Sequence, residues 1–297
     1  MSKEIIAILD HERLGLKEET GSGRVVAIAH DWGTYLLSQL ASRYQERFEK
    51  FVFMSVPFTI PGRRTDVEMV NRRTKKKFGY DMMGYFLFLS TPRAGRVLGE
   101  NVLFLHLLFL FISQFGFPRL SIFNNERMSC LWYILQWETF FNLTYPADPA
   151  LWQTYFAPEG AMETFLTTNS PSSSSSLLAL YITEEDKAHH HSVFSSDYRT
   201  PCLWYVRGIN SLGVEEEKAS IKKGNVIEKI GKETLMIATI NDAVCSPDRA
   251  RIGMQAGVEG GLTGESWHSW LLKVDIGLCL SAQIKQTECW KNSLRKE

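Results

Sequence analysis

The chain has 297 residues, of which 44% are hydrophobic and 22% charged, and its 33 basic residues balance 33 acidic ones. This composition is typical of a globular protein. It excludes fibrous and disordered classes, because Gly and Pro are scarce and the apolar fraction is large enough for a sizeable core. A net charge of zero, without a long basic run, also excludes the electrostatic footprint of a nucleic-acid-binding protein.

Cysteine usage predicts a reducing, cytoplasmic environment with free thiols, because the cysteines are odd in number and show neither a CxxC pair nor zinc-ligand spacing. They are Cys130, Cys202, Cys245, Cys279 and Cys289. The N-terminal residues lack the uninterrupted apolar core of a signal peptide. The most hydrophobic segment, 102–112, has about half of the ~20 residues that a membrane span requires, so we expect a buried helix there.

The first sixty residues predict a βαβ unit. Apolar residues at helical spacing up to Leu14 indicate an opening helix, and the run RVVAIA (24–29) is typical of a parallel strand buried on both faces. A tight turn, HDWGT (30–34), leads into a helix over 35–44, and FVFMSV (51–56) forms a second strand. Because strands joined by a helix in this way run parallel, an α/β architecture with flanking helices follows.

A helical block interrupts this strand pattern. Aromatic residues and leucines at helical spacing dominate from Pro61 to about Pro201, whereas strands return at TLMIAT (234–239) and, more weakly, at 262–267. We therefore predict a helical cap inserted between two parts of one sheet. The predicted core comprises residues 1–60 and 201–297, and the predicted cap comprises residues 61–200.

The turn after the first strand has the spacing of a nucleophile elbow. Ala29 and Gly33 lie two positions to either side of Asp31, where a sharp strand-to-helix turn needs small residues to avoid collisions. Asp31 also precedes a helix N-terminus, where the helix dipole and free N–H groups keep a carboxylate ionised. An aspartate that merely caps the helix has the same spacing, so spacing alone leaves both interpretations open.

The residues around Asp31 favour the nucleophile. The segment AHDWGT (29–34) resembles the elbow of the epoxide hydrolases within the α/β-hydrolase family, with Ala29 in place of the usual first glycine. Four further segments resemble fungal-type soluble epoxide hydrolases in the family's order, and the resemblance covers roughly residues 3–101 and 137–272. These segments are FGYDMMGYFLFL (78–89), YPADPALWQTYFAPEGA (145–161), LWYVRGIN (203–210) and TINDAVCSPD (239–248).

The resemblance implies an α/β-hydrolase fold with a helical cap and the hydrolysis of an epoxide to a vicinal diol. Asp31 would attack an epoxide carbon and form a covalent ester. Tyr85 and Tyr205 match the family's two cap tyrosines, whose phenols donate to the epoxide oxygen as the ring opens. Without this context each would be read as a core side chain, since the chain has ten tyrosines. The implied partners are a small-molecule epoxide and water, with no cofactor and no metal.

Hydrolysis of the ester needs a water activated by a histidine that a carboxylate orients. Asp242 matches the family's acid, although an aspartate that begins a loop fits its position too. His268, expected to follow the last strand, completes the order nucleophile, acid, histidine. The family usually has this histidine directly before an aromatic residue, whereas Ser269 intervenes here. The backbone N–H of Trp32 matches one donor of the oxyanion hole.

The seven histidines include a cluster, His189 to His191, that could suggest a metal site. Adjacent side chains diverge, and the surrounding residues indicate a polar loop. We therefore interpret the cluster as solvated and not as metal-binding.

The chain departs from the family pattern in three places. The sequence lacks the strands that precede the elbow strand in the family. It also lacks the HGxP segment, which carries the second donor of the oxyanion hole. Both absences predict an N-terminally truncated chain with an incomplete sheet. The elbow strand would then be an exposed, uncharged edge that promotes self-association. Residues 102–136 match no family segment, and we interpret them as an intron read through in frame. The tail after Lys273 also loses the resemblance.

Two other functions fit parts of the pattern. A haloalkane dehalogenase also uses Asp followed by Trp, but its departing halide needs N–H donors, so the Tyr85 and Tyr205 pair disfavours it. The missing strands also fit an inactive, truncated fragment or pseudoenzyme of the family. A serine esterase is disfavoured because position 31 is not serine.

Overall fold

A computed structural model of the chain describes residues 1–15, 25–99, 137–169, 174–194, 198–258 and 267–272. The chain divides into two compact units. The described residues between Met1 and Thr65 and between Ser211 and Ile276 belong to the first unit, and those between Asp66 and Asn210 belong to the second. The predicted boundary between cap and core, at residues 200 and 201, falls inside a helix of the second unit.

The described residues form helices and strands with the following bounds. The helices are α1 (Ser2–His11), α2 (Trp32–Tyr44), α3 (Val67–Phe78), α4 (Gly84–Leu89), α5 (Pro92–Gly99), α6 (137–144), α7 (Ala161–Thr168), α8 (Glu184–Phe194), α9 (Arg199–Asn210), α10 (Val214–Lys222) and α11 (Pro247–Gly257). The strands are β1 (Val26–His30), β2 (Lys50–Met54), β3 (Glu233–Thr239) and β4 (Trp267–Leu272).

A parallel four-stranded sheet with the order β1-β2-β3-β4 forms the centre of the first unit. Ala27 lies opposite Phe51, Phe51 opposite Thr234, and Thr234 opposite Trp267. The prediction of a parallel sheet with flanking helices is confirmed, and the first three strands lie where the apolar runs placed them. β4 differs, because it begins at Trp267, where the predicted strand ended.

One face of this sheet packs against the helix that follows the turn. Leu37 and Leu40 of α2 are buried against β2, whose Phe51 and Phe53 have no exposed surface, and Met254 of α11 joins the same cluster. Each such side chain stabilises the fold by roughly 1.5–3 kcal/mol. The apolar face of α2 therefore fixes the helix, and with it the turn, against the sheet.

β1 lies at the edge of the sheet and is only half covered. Its Ala27 and Ala29 pack against the core, whereas Val26 is 39% exposed and Ile28 54% exposed. The prediction of a strand buried on both faces is therefore wrong for β1. The physical reason is the alternation of strand side chains, since α1 and α2 cover only the face that carries the alanines.

A buried carboxylate joins α2 to α10. Glu217 is 8% exposed and accepts hydrogen bonds from the Tyr35 hydroxyl at 2.9 Å and the Gln39 side-chain amide at 3.2 Å, both on α2. Its second oxygen accepts the backbone N–H of Gly62 at 2.7 Å. Hydrogen bonds to a charged group are the stronger kind, so this network adds polar restraint to the apolar packing of α2.

The described part of the second unit is helical, as expected for a cap. Its fully buried side chains include Leu98, Phe141, Leu143, Met162 and Leu166, which come from several of its helices. Among the residues described, no helix is long and apolar enough to cross a membrane. The predicted helix at 102–112, the rest of the interpreted insertion and the tail lie outside the described residues.

We expect the chain to self-associate through β1, because its open edge carries exposed aliphatic side chains and no charge. Ile28→Lys should lower the fraction of larger species in sedimentation velocity. Ile252→Lys is the matched control, since Ile252 is 60% exposed on α11 and lies away from the sheet edge. A monomeric wild-type chain, or an equal effect of both substitutions, would contradict this expectation.

Tyr35→Phe tests the Glu217 network. Loss of one hydrogen bond to a buried carboxylate should lower the free energy of unfolding by about 1.5–3 kcal/mol, measured by urea denaturation. Tyr44→Phe on the same helix is the control, because no hydrogen bond of the Tyr44 phenol occurs among the described residues. Equal stability of the Tyr35→Phe variant and the wild type would show that the network is not stabilising.

Candidate active site

Asp31 alone forms the corner between β1 and α2. β1 ends at His30 and α2 begins at Trp32, so the chain reverses direction within one residue. The backbone of Asp31 has φ 52° and ψ −126°, a conformation that residues other than glycine rarely adopt. Its carbonyl accepts the Thr34 N–H at 2.9 Å and the Thr34 hydroxyl at 2.6 Å, which hold the corner in place.

The geometry of Asp31 differs from that of an ordinary helix cap. A capping aspartate usually lies in the β region and accepts an N–H from the second or third helical residue. Asp31 has a positive φ instead, and its Oδ1 accepts the N–H of the first helical residue, Trp32, at 2.5 Å. Its side chain is exposed. The corner thus presents a carboxylate to solvent under backbone strain, which capping alone does not require.

Small residues allow the strand and the helix to approach at this corner. A Cβ at Gly33 would lie 3.6 Å from the Cβ of Ala29, an ordinary van der Waals contact. Space for a methyl group therefore exists, and a longer side chain at either position would meet the other element. This agrees with the spacing argument made for Asp31.

Asp242 follows β3 at the same, carboxyl edge of the sheet and is 5% exposed. Its Oδ1 accepts the N–H groups of Val244 at 2.8 Å and Cys245 at 2.7 Å. Its Oδ2 is buried and has no hydrogen-bond partner among the described residues. A buried carboxylate oxygen without a donor is costly, so this atom is suited to accept a hydrogen bond from a further group.

The pKa of Asp242 is raised to about 7. Burial is the main cause and the negative charge of Asp31 adds to it, whereas the two N–H groups and Arg249 act in the opposite direction. β1 and β3 flank β2, so the two aspartates are about two strand spacings, or ~10 Å, apart across the sheet. Burial likewise raises the pKa of the neighbouring Cys245 thiol, which keeps it protonated and unsuited to nucleophilic attack.

Two residues that the sequence did not single out lie between the aspartates. His30 ends β1, Ser55 directly follows β2, and the Ser55 hydroxyl lies 3.3 Å from the His30 Nε2. Ser55 is 4% exposed and has φ 62°. Burial lowers the pKa of His30, and the charge of Asp31 opposes this effect. A sequence signal did exist, since each residue stands at the end of a predicted parallel strand.

His268 lies elsewhere in the strand pattern than expected. It is the second residue of β4 and pairs with Leu235, four residues before the end of β3 at Thr239. Its backbone is therefore about 13 Å from the carboxyl edge. The expectation that His268 follows the last strand is wrong, because the aromatic and apolar residues of WHSWLL continue the strand beyond it. The backbone of His268 thus lies within β4, whereas Asp242 follows the carboxyl end of β3.

In the second unit, Tyr85 and Tyr205 come together. Tyr85 is on α4 and Tyr205 on α9, and their ring centroids are 5.8 Å apart in an edge-to-face arrangement. Phe86 lies 5.0 Å from Tyr205, and Phe156 lies 5.0 Å from Tyr85. Both tyrosines are half-buried. Two residues 120 positions apart in sequence thus share one aromatic cluster, as expected from the two separate motifs.

A close backbone approach positions Tyr85. A Cβ at Gly84 would lie 2.1 Å from the backbone nitrogen of Glu159, so only glycine fits there. This approach lets the Tyr85 N–H donate to the carbonyl of Ala157 at 3.0 Å. Phe156 belongs to a π-helical turn, Trp152–Phe156, a local feature that often occurs at functional sites.

The histidine cluster is helical, and the prediction of a polar loop is wrong. All three histidines lie on α8, where His189 and His191 are exposed but His190 is half-buried. His190 contacts an aromatic cluster, and its Nε2 lies 3.4 Å from the Tyr198 hydroxyl. The pKa of His190 is lowered to about 4, mainly by burial and additionally by the charges of His191 and His189. The described residues contain no group of three metal ligands.

The raised pKa of Asp242 predicts a pH-dependent stability. The unfolded chain has a pKa near 3.9 at this position, so between about pH 4 and pH 7 the folded chain binds the extra proton and unfolding releases it. The free energy of unfolding should therefore fall as the pH rises through this window, by at most about 4 kcal/mol.

Urea denaturation at several pH values checks this. Asp242→Asn should remove most of the slope and be more stable than the wild type at pH 8. Asp148→Asn, which removes an exposed carboxylate, is the control and should keep the wild-type slope. A wild-type stability that rises between pH 4 and pH 7 in parallel with the Asp242→Asn variant would show that Asp242 is not the titrating group.

Comparison with known proteins supports the expected family. The model of the alpha/beta hydrolase fold family matches residues 5–157, just over half of the chain. No curated protein matches the chain by sequence.

Several solved structures of epoxide hydrolases are similar to the chain. Epoxide hydrolase VrEH1 from Vigna radiata has a TM-score of 0.57 and 19% identity over 100% of this chain and 74% of its own. Epoxide Hydrolase A from Mycobacterium thermoresistibile has a TM-score of 0.56 and 15% identity over 99% of this chain and 74% of its own. A laboratory-evolved variant of potato epoxide hydrolase StEH1 has a TM-score of 0.55 and 15% identity over 100% of this chain and 75% of its own. At these identities the likeness concerns the fold, and with the family match it shows that the chain belongs to the alpha/beta hydrolase fold family.

Proposed function

We propose that this hydrolase opens an epoxide to a vicinal diol through a covalent ester on Asp31. The strained corner at Asp31 is the observation that carries the proposal, because it exposes a carboxylate at the end of a parallel strand where a helix cap alone would need no strain. The structural neighbours named above are epoxide hydrolases, and the fold that they share with this chain supports the proposal.

In the first step, one carboxylate oxygen of Asp31 attacks an epoxide carbon and the carbon–oxygen bond of the ring breaks. The Trp32 N–H holds Oδ1, which leaves Oδ2 as the attacking atom. Once the ester has formed, Oδ1 is its carbonyl oxygen. The same N–H then stabilises the negative charge that develops on Oδ1 when water adds. This assigns the oxyanion role of Trp32 that the sequence predicted.

Ring opening leaves a negative charge on the former epoxide oxygen, and a proton donor must neutralise it. Tyr85 and Tyr205 are proposed as these donors, since their rings lie in one cluster and two phenols can hold a single oxygen. Aromatic neighbours on both sides restrict the rings, so the donors need little reorganisation as the charge develops. In a dehalogenase the leaving group is a halide, which does not need two phenols that donate to an oxygen.

In the second step, a histidine removes a proton from water and the hydroxide adds to the ester carbonyl. The bond between the carbonyl carbon and Oδ2 then breaks, the diol leaves with Oδ2 and the proton of the added hydroxyl, and Asp31 returns as a carboxylate that keeps the oxygen of the water. The histidine returns its proton through solvent to the phenolate left by the first step. Asp242 is proposed to orient this histidine through Oδ2, the buried oxygen without a partner among the described residues. A donor at Oδ2 would also restore the ionised form of Asp242 near neutral pH. His268 is proposed as this base because it completes the order nucleophile, acid, histidine along the chain.

Styrene oxide, a simple aryl epoxide, provides the main test. The wild type should form the diol, and Asp31→Asn should form none, since an amide oxygen is a poor nucleophile. Intact mass spectrometry after rapid quenching should show an adduct equal to the whole epoxide on the wild type and none on Asp31→Asn. Equal rates of the two proteins would eliminate the ester mechanism. Conversion of a haloalkane probe to the alcohol with release of halide would indicate a dehalogenase.

The phenol donors are tested by Tyr85→Phe and Tyr205→Phe. Each should lower the rate of ester formation by about 10²-fold or more, because a positioned proton donor contributes on that scale. Tyr155→Phe is the control within the same unit, since Tyr155 is 41% exposed and lies outside the proposed pair. If all three variants formed the ester at the wild-type rate, the proposed donors would be wrong.

His268→Gln separates the two steps. If His268 is the base, this variant should form the ester at the wild-type rate and accumulate it, because only the hydrolytic step loses its catalyst. Mass spectrometry during turnover measures the fraction of esterified protein. Normal diol formation without accumulation would show that another residue activates the water.

A further inference from the structure

Ser55 occupies the centre of the carboxyl edge of the sheet. β2 lies between β1 and β3, so the residue after β2 stands between Asp31 and Asp242. The Ser55 N–H donates to the carbonyl of Ile237 in β3 at 2.9 Å, while its hydroxyl lies 3.3 Å from the His30 Nε2 at the end of β1. Ser55 therefore links the strand of the acid to the strand of the nucleophile.

Ser55 and Asp31 share an unusual backbone conformation. Their φ angles, 62° and 52°, are both positive, and neither residue is glycine. Such conformations persist only where the surrounding structure determines them, and they cluster at functional sites. Burial of Ser55, at 4% exposed, also requires its hydroxyl to find a partner, and His30 supplies one.

We propose that Ser55 is a positioning residue for Asp31, and that its hydroxyl donates to the His30 Nε2 and holds the imidazole uncharged beside the nucleophile. The proposal rests on the proposed function of Asp31. An imidazolium next to Asp31 would pair with the carboxylate and weaken it as a nucleophile, whereas a neutral imidazole leaves the carboxylate reactive. A hydrogen bond donated to Nε2 stabilises that neutral form.

The charged and titratable groups around this pair are few among the described residues. Asp31 acts directly on His30 and favours its protonation, which Ser55 and burial oppose. Asp242, Cys245 and Arg249 act on the same edge of the sheet from β3 and the elements that follow it. The protonation of His30 is thus favoured by the Asp31 carboxylate and opposed by the Ser55 hydroxyl.

NMR titration of the His30 ring tests the pair without any reaction. In Ser55→Ala the pKa of His30 should rise by about 0.5 to 1, the effect of one lost hydrogen bond to the neutral form. Ser55→Gly should give the same rise, because glycine accepts the positive φ but also lacks the hydroxyl. Ser42→Ala is the matched control, since Ser42 is 2% exposed and its hydroxyl has no partner among the described residues.

Ester formation from styrene oxide at several pH values gives the second readout. The acidic limb of the rate should move to higher pH in both Ser55 variants. The loss should approach about three- to tenfold at pH values well below the pKa of His30 and should vanish well above it. Ser42→Ala should follow the wild-type profile. A loss that is equal at all pH values would indicate a merely structural role and overturn the proposal.

The two readouts separate the possible failures. If the wild type forms no ester, the proposed function fails, and the NMR titration still decides whether Ser55 controls His30. If the wild type forms the ester but the pKa of His30 stays unchanged or falls in Ser55→Ala, the proposed direction of the hydrogen bond is wrong. A rise in Ser55→Ala alone, without one in Ser55→Gly, would assign the effect to the backbone and overturn the role of the hydroxyl.

Discussion

The reversal of the chain at Asp31 is the constraint on which the candidate site depends. A parallel strand and the next helix are joined by one residue, so that residue must adopt a positive φ and point its side chain away from both elements. The strain is held by hydrogen bonds from Thr34 and by the packing of α2 on the sheet. The proposed reactivity of Asp31 therefore depends on the stability of the elements around it.

The packing of α2 combines two different kinds of contact. Leu37 and Leu40 contribute non-directional apolar burial, whereas the hydrogen bonds to Glu217 fix the rotation of the helix about its axis. Apolar burial supplies most of the free energy that holds α2 on the sheet, and the hydrogen bonds fix its orientation. A nucleophile on a one-residue corner needs both, since a small rotation of α2 would move the Trp32 N–H away from Oδ1.

The carboxyl edge of the sheet concentrates titratable groups because parallel strands all end there. Asp31 is exposed and Asp242 is buried, so the same residue type has a different environment on neighbouring elements. Burial is the main cause of the raised pKa of Asp242 and of Cys245, and the negative charge of Asp31 adds to both. Ser55 and His30, placed between them, add a neutral hydrogen-bonded pair to a site that otherwise carries negative charge.

Much of this was predictable from the sequence, because the governing interactions are local. The continuous apolar runs identified β1, β2 and β3, and the small residues around Asp31 identified the corner. Local patterns failed where distant elements decide the outcome. His190 stands in a polar stretch of sequence, yet α8 places it against aromatic residues. Val26 and Ile28 look like core residues, yet they are exposed, since no described element covers β1 on that face of the sheet.

The sequence by itself determined the parallel sheet, the helical block and the carboxylate at the corner, since strand and helix periods and turn sterics act over a few neighbouring residues. Only the tertiary structure decided the register of β4 that keeps His268 from the carboxyl edge, the orphaned oxygen of Asp242 and the contact between Ser55 and His30. These features depend on which strands lie side by side. Pairing between distant strands is set by packing of the whole sheet, which no short stretch of sequence specifies.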